Sequence, residues 1–153
     1  MALSLQELND KDEIMQVYHR YCEIVDSKTF DRMDEVFMAD CVGDYTQSMP
    51  GVTSPNRASL IASMHENLGP TSNCGETHHN VLNFRIQVNG DKATAKVHYY
   101  AVHRGRLAFE GELYSMWGQY ADDLVRSPDG WRVARRVYTT ALTEGPRGVT
   151  SKG

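Results

Sequence analysis

The sequence predicts an α+β fold in which three N-terminal helices pack on a curved, mostly antiparallel sheet. Apolar residues repeat every three or four positions near the start of the chain, which is typical of an amphipathic helix. From residue 78 onward the chain is rich in Val, Tyr, Phe, Thr and Trp, which favour strands. Helices followed by strands indicate the α+β class. A curved sheet closed over helices makes a cone, and we expect a pocket inside it.

The helices are predicted from apolar spacing and from residues that begin or end a helix. The first helix has its apolar positions between residues 14 and 25, with acidic residues near its N-terminus. A short second helix is predicted over 28–38, and 41–45 is predicted as a short strand. A third helix begins at residue 56 or 59 and ends at residue 68, before a Gly-Pro pair.

Two turn sequences divide the second half of the chain into hairpins. Asn89-Gly90 is typical of a type I′ turn, because both central residues of that turn need positive φ. The sequence Ser-Pro-Asp-Gly over 127–130 predicts a second hairpin. The strands predicted on either side of these turns are 78–89, 93–104, 107–124 and 131–143.

Length and composition indicate one globular domain. The chain has 153 residues, of which 41% are hydrophobic and 24% charged. A chain of this length and mixture builds one packed core. We expect residues 1–143 to form the domain and residues 144–153 to form a mobile C-terminal tail.

The charge and the apolar segments argue against nucleic acid and membrane as partners. Sixteen basic against twenty acidic residues give a formal charge of -4, which offers little attraction to a phosphate backbone. No apolar stretch approaches the roughly 20 residues that cross a bilayer, and the first residues do not resemble a signal peptide. Cys22, Cys41 and Cys74 are odd in number and widely spaced, so we interpret them as free thiols of a cytoplasmic protein.

An aspartate and a histidine pair are the first candidates for chemistry. Asp26 lies at the end of the first helix, on the margin of its apolar stripe, where the helix dipole disfavours an anion. It is either an ordinary solvated acid or the partner of a cation such as imidazolium. His78 and His79 open a strand, so only one of them faces the pocket. A histidine held by a buried aspartate is a common general base.

Further candidates come from the alternation of side chains in the second long strand. Tyr99 and His103 share its more apolar face, whereas His98 lies on the other face. His103 is therefore the candidate for a second imidazole in the pocket. Tyr21 and Tyr45 are either core aromatics or donors to a substrate oxygen.

No motif for a cofactor is present. The sequence has no GxGxxG after a strand, no GxxxxGK[ST] and no GxSxG. Its histidines and cysteines also lack the spacing of a metal site. We therefore expect neither a cofactor nor a metal.

Several segments together resemble the SnoaL-like branch of the NTF2-like superfamily. They are YCEIVD at 21–26, THHNVLN at 77–83, GQYADDLVR at 118–126 and DGWR at 129–132. The resemblance covers roughly residues 13–142 and implies an NTF2-like cone. This branch contains scytalone dehydratase, hexachlorocyclohexane dehydrochlorinase and bile-acid 7α-dehydratase.

The resemblance also implies roles for individual residues. Lyases of the family pair a helix-borne Asp with a His that lies four residues before an Asn, and Asp26, His79 and Asn83 match that pattern. This selects His79 over His78. Tyrosines of the family dehydratases match Tyr45 and Tyr21.

Two further roles follow from individual members of the family. Scytalone dehydratase uses a second His from the next strand, and His103 is its nearest equivalent. Some members bind substrate through an Arg on the last strand. Both Arg135 and Arg136 lie there, and alternation does not choose between them. We take Arg136, together with Tyr99 and Asn83, as the candidates for substrate binding.

The resulting hypothesis is a cofactor-independent lyase. His79 held by Asp26 would take a proton α to the carbonyl of a hydrophobic cyclic substrate, and a β-hydroxyl would leave with a proton from His103. An isomerase or cyclase using the same proton transfer is the alternative, as are a noncatalytic binding module and an oxygenase β-type subunit. Large apolar residues on both faces of 113–117 predict self-association into a homo-oligomer, and the resemblance implies a trimer or a dimer.

Overall fold

A computed structural model describes residues 2–153 and confirms the α+β fold, with three helices packed against a curved, unclosed sheet of six strands. The helices are α1 (Leu5–Ser27), a 3₁₀ helix (Phe30–Glu35) and α2 (Arg57–Leu68). The strands are β1 (Phe37–Asp44), β2 (Thr53–Ser54), β3 (Cys74–Asn89), β4 (Lys92–Gly105), β5 (Leu113–Ser127) and β6 (Gly130–Glu144). Within residues 2–153, no helix combines the length and the apolar character needed to cross a bilayer.

The sheet has the strand order β2-β1-β6-β5-β4-β3. Every neighbouring pair is antiparallel except β1 and β6, which run parallel. The register shifts between residues 82 and 85 of β3, and again between 123 and 124 of β5. Bulges of this kind bend a strand and increase its twist. They curve the sheet around α1.

Helix α1 is fixed at both ends by local interactions. Ser4 and Glu7 form a capping box, in which the Glu7 backbone N–H donates to Ser4 Oγ at 3.1 Å and the Ser4 N–H donates to Glu7 Oε2 at 2.8 Å. Lys28 ends the helix in the left-handed region, with φ 58°. Asp26 consequently lies in the last turn, where α1 packs against β3.

The core lies between the apolar face of α1 and the concave face of the sheet. On β4 the predicted alternation is confirmed: the odd-numbered residues from Ala93 to Gly105 are buried, and those include Tyr99 and His103. His98 is exposed on the convex face, as predicted. The concave face therefore carries the candidate side chains of β4.

Three local predictions are corrected by the structure. The predicted helix 28–38 is only a 3₁₀ helix, because Phe37 already pairs with Val133 of β6. The strand predicted from 107 begins at 113, because Leu107–Phe109 forms a 3₁₀ turn. The first hairpin has Gly90 and Asp91 at its centre, and only Gly90 has positive φ, so the turn follows the type II′ pattern.

The residues after 143 pack against the domain, whereas the sequence predicted a free tail. Val149 is fully buried within a 3₁₀ turn (Arg147–Thr150). Asn73 Nδ2 donates to the carbonyl oxygens of Gly148 at 3.4 Å and Lys152 at 3.1 Å. Its backbone N–H donates to the carbonyl oxygen of Ser151 at 2.9 Å. These contacts hold the segment beside the start of β3.

A buried ion pair joins β5 and β6. Arg136 Nη2 donates to Asp122 Oδ2 at 2.8 Å, and both side chains are almost completely buried. The Tyr18 hydroxyl donates to the same carboxylate at 2.8 Å, and the guanidinium lies 4.0 Å from the centre of the Tyr120 ring. Each of the two buried charges is thus paired with an opposite charge, which a buried charge requires.

The convex face exposes several large side chains. Tyr100 and Trp117 stack there at 5.0 Å, and Leu82, Leu113 and Leu142 are exposed. Self-association through this face stays a prediction.

Replacing Arg136 with Met should destabilise the fold strongly, because Asp122 would be left as a buried, unpaired charge. We expect a loss of about 3–5 kcal/mol in the free energy of unfolding, measured by urea denaturation. Arg135→Met is the matched control, since Arg135 is half-exposed and its contact with Asp44, at 3.4 Å, lies at the surface. This variant should change the free energy of unfolding little. Adding Asp122→Leu to Arg136→Met should recover part of the loss. Equal losses for the two arginine variants would contradict this account.

Candidate active site

A cavity of about 590 Å³ lies between the concave face of the sheet and the helices α1 and α2. Small-molecule pockets typically measure about 300–1,000 Å³. Five predicted site residues line it: Tyr21, Tyr45, His79, Tyr99 and His103. Much of the remaining wall is apolar and comes from Met49, Val52, Leu60, Met64, Leu68 and Met116. The structure thus brings two imidazoles and three phenols together in a largely apolar space.

Asp26 and His79 form a closely hydrogen-bonded pair at this cavity. Asp26 Oδ1 lies 2.7 Å from His79 Nδ1, and Asp26 Oδ2 accepts the backbone N–H of His79 at 3.0 Å. The Thr77 hydroxyl donates to Asp26 Oδ1 at 2.8 Å. Thr77 and His79 reach the same carboxylate because residues two apart share one face of a strand. The carboxylate therefore ties the end of α1 to the start of β3.

These hydrogen bonds keep Asp26 ionised. Burial raises the pKa of Asp26, but the bonds from the His79 ring, the His79 backbone and Thr77 outweigh burial and hold the pKa below its usual value. An ionised carboxylate accepts only, so His79 Nδ1 carries the hydrogen. In the neutral imidazole Nε2 is then the free base, on a side chain that lines the cavity. His78, its neighbour, is exposed.

His103 is the second imidazole at the cavity. Its ring lies 5.4 Å from that of His79, in an edge-to-face arrangement. Its Nδ1 lies 3.1 Å from the backbone oxygen of Tyr114, so Nδ1 donates and Nε2 is unprotonated. Burial lowers the pKa of His103 to about 4. At neutral pH the residue is an acceptor, which differs from the acid expected for it in a dehydratase.

Stacked tyrosine rings form one wall of the cavity. Tyr99 lies 4.7 Å from Tyr120 and 5.1 Å from Tyr138, and Tyr138 lies 5.3 Å from Tyr45. Burial raises the pKa of Tyr45 and of Tyr21 above the usual value, so both phenols keep a proton to donate.

Gly118 lies under Tyr99 on the neighbouring strand. A Cβ at this position would lie 2.5 Å from the Tyr99 hydroxyl oxygen and would also meet the Thr139 carbonyl. The Tyr99 hydroxyl lies 3.2 Å from Thr140 Oγ1 and donates to the Thr139 carbonyl oxygen at 3.4 Å. The absence of a side chain at 118 therefore lets Tyr99 lie flat against the sheet.

Two residues predicted to bind substrate lie elsewhere. Asn83 is exposed on the convex face, where its Nδ2 lies 3.1 Å from His98 Nδ1. The bulge in β3 gives Asn83 a φ of 56° and turns its side chain away from the cavity. Arg136 points inward but does not reach the cavity, because Asp122 holds it in the core. Neither residue contacts the space where a ligand fits.

The sequence did not predict several of the residues at the site. Thr77 bonds Asp26, and Tyr120 and Tyr138 complete the tyrosine wall. Thr77 lies two residues before His79 and so shares its face of the strand, which is a signal that could have found Thr77 once His79 was chosen. Nothing in the sequence beyond their apolar character indicated that Met116 and Met64 line the cavity.

The thiols play no part in this site as nucleophiles. All three cysteines are free, as predicted. Burial raises the pKa of Cys22 to about 12, so the Cys22 thiol stays protonated at neutral pH.

The architecture described above is the NTF2-like fold, and the chain belongs to the SnoaL-like family. The family model of the SnoaL-like domain matches residues 6–137. An uncharacterized protein of Mycobacterium tuberculosis, Rv2910c, is 34% identical over 144 residues, which cover 90% of this chain and 89% of that protein.

Solved structures share the fold at lower sequence identity. A candidate scytalone dehydratase from Novosphingobium aromaticivorans is 22% identical with a TM-score of 0.80, over 90% of this chain and 88% of that chain. The hexachlorocyclohexane dehydrochlorinase LinA-type3 from Novosphingobium barchaimii is 14% identical with a TM-score of 0.77, over 94% of each chain. Both neighbours carry names of lyases.

Acidification should destabilise the protein through His103. The pKa of His103 is about 4 in the folded chain and about 6.5 when unfolded, so between these values the unfolded state binds a proton that the folded state excludes. The free energy of unfolding should therefore fall by about 2 kcal/mol between about pH 7 and about pH 5. Urea denaturation at several pH values measures this slope.

His103→Asn should flatten that slope, because an amide can still donate to the Tyr114 carbonyl but cannot take up the proton. His98→Asn, at the exposed histidine, should keep the wild-type slope. A steep slope retained in His103→Asn would show that another group causes the acid sensitivity.

Proposed function

We propose that the protein is a cofactor-independent lyase that eliminates a small group, in the first instance a hydroxyl, from a hydrophobic cyclic substrate activated by a carbonyl. The observation that carries this proposal is the Asp26–His79 pair, joined at 2.7 Å beside a largely apolar cavity. A neutral imidazole with a free Nε2 is a competent base, and the adjacent carboxylate stabilises the imidazolium that forms.

The first step is removal of the proton α to the carbonyl. His79 Nε2 takes the proton, while Asp26 keeps the ring in one tautomer and one orientation. Negative charge develops on the carbonyl oxygen as the enolate forms. Tyr45 and Tyr21 line the same cavity and supply phenol protons as donors to that oxygen.

The second step expels the β-hydroxyl. The carbon–oxygen bond breaks, the double bond forms, and the hydroxyl leaves as water after it receives a proton. His79 gained a proton on Nε2 in the first step and is the group that can return it, because His103 is unprotonated at neutral pH. His103 Nε2 then serves as an acceptor that orients the leaving hydroxyl or the water.

The named relatives suggest two starting substrates. Scytalone would lose water, and hexachlorocyclohexane would lose hydrogen chloride. Both are cyclic molecules suited to a largely apolar cavity with an aromatic wall. Hexachlorocyclohexane has no carbonyl, so it tests proton removal by His79 without the enolate step. A panel of cyclic β-hydroxy ketones extends the search beyond them.

An isomerase is the second candidate function. Its support is that one base, His79, can both take and return a proton, and that no second protonated acid faces it from His103. Product mass separates the two reactions, since elimination loses a molecule of water and isomerisation conserves mass.

His79→Gln and Asp26→Asn should each lower kcat by about 10²- to 10⁴-fold, because each removes the base or its orientation. Loss of water is followed by mass spectrometry, and exchange of the α-hydrogen in deuterated water reports proton removal even without elimination. His78→Gln, at the exposed neighbour, is the matched control and should retain full activity. Near wild-type exchange and turnover in both site variants would remove the pair from the mechanism.

Tyr45→Phe should lower kcat by about 10²-fold with a smaller effect on KM, because the phenol acts mainly on the developing charge. Steady-state kinetics on whichever substrate of the panel is turned over measures this effect. Tyr100→Phe removes the same atom from the convex face, where Tyr100 stacks on Trp117, and should have no effect. A change in KM alone would assign Tyr45 to ordinary substrate binding.

A further inference from the structure

The opening of the cavity carries one permanent charge. Among the residues of 2–153 that line the cavity, there is no Asp, Glu or Lys, and Arg147 is the only arginine. Arg147 is also exposed to solvent. A side chain that is exposed and also lines the cavity lies at its opening, so the charge sits where a ligand enters.

Arg147 has a defined position because its segment is anchored. Val149, two residues later, is fully buried. Asn73 Nδ2 lies 3.4 Å from the Gly148 oxygen and 3.2 Å from Ser151 Oγ, which fixes the backbone on the far side of Arg147. The arginine is therefore held at the opening by the fold of the C-terminal segment.

Arg147 forms no ion pair with any residue in the range 2–153. By contrast, the exposed Arg32 pairs with Glu23 and Glu35, and the half-buried Arg126 pairs with Asp91 and Asp10. The other polar residues that line the cavity and are at least partly exposed carry no charge; they include Ser63, Asn67, Thr143 and Thr150. Its guanidinium is free to bind an anion in a protein whose net charge is -4.

We infer that Arg147 selects ligands that carry an anionic group, such as a carboxylate, next to a hydrophobic ring. The ring occupies the space between the tyrosine wall and the methionine and leucine side chains, and the anion stays at the polar opening. A guanidinium binds a carboxylate or sulfonate through paired N–H donors. This inference rests on the proposed function in using the same cavity, and it names the class of substrate.

The experiment compares two fluorescent probes that differ by one anionic group. Anilinonaphthalene sulfonate carries a sulfonate, and phenylnaphthylamine is its neutral parent; both gain fluorescence in apolar cavities. Arg147→Gln should weaken binding of the sulfonate probe by about threefold to tenfold. It should leave the affinity for the neutral probe unchanged.

Two further variants define the charge as the cause. Arg147→Lys should keep most of the affinity for the sulfonate probe. Arg85→Gln, which removes an exposed arginine on β3 away from the cavity, should change neither probe. The difference between wild type and Arg147→Gln should also shrink in about 1 M salt, which screens an exposed pair.

An equal effect of Arg147→Gln on both probes, or no effect on the sulfonate probe, would overturn the inference. Probe binding requires no turnover, so a protein that shows the expected selectivity but eliminates nothing would refute the proposed function alone. Failure of wild-type protein to bind the sulfonate probe would also overturn the inference, whereas the proposed function is tested separately by turnover.

Discussion

The carboxylate of Asp26 is the contact on which the organisation of the cavity depends. It accepts three hydrogen bonds from β3, two of them from His79, and so joins the last turn of α1 to the strand that carries the base. A carboxylate at the C-terminal end of a helix is electrostatically disfavoured. The bonds from His79 and Thr77 compensate for that position, and the same bonds set the tautomer of the imidazole. The same carboxylate therefore stabilises the fold and orients the base in the proposed chemistry.

Much of the architecture and part of the site could be predicted from the sequence because they follow from regular periodicity. The helical repeat put Asp26 at the margin of the apolar stripe, and strand alternation put Tyr99 and His103 on the concave face and His98 on the convex face. The choice of His79 over His78 came from the family resemblance. Around Asp26 and along β4 the regular period is unbroken.

The residues whose positions were not predicted correctly lie where a bulge interrupts that period. Beyond the bulge in β3, inward-facing positions change from odd to even, which turns Asn83 outward. The shift between β5 and β6 pairs Asp122 with Arg136 instead of Arg135. A bulge leaves little trace in residue types, so alternation could not choose between the two arginines. The same bulges curve the sheet, and without that curvature there would be no cavity.

Gly118 shows how closely the backbone of the sheet limits the shape of the cavity. The residue belongs to the sheet and performs no chemistry, yet its missing side chain is what allows Tyr99 to lie back against β5. A side chain there would meet the Thr139 carbonyl of β6 as well as the Tyr99 hydroxyl, so it would disturb the backbone of the adjacent strand together with the tyrosine ring. Differences in ligand size among relatives are therefore expected to come from other lining positions and not from this one.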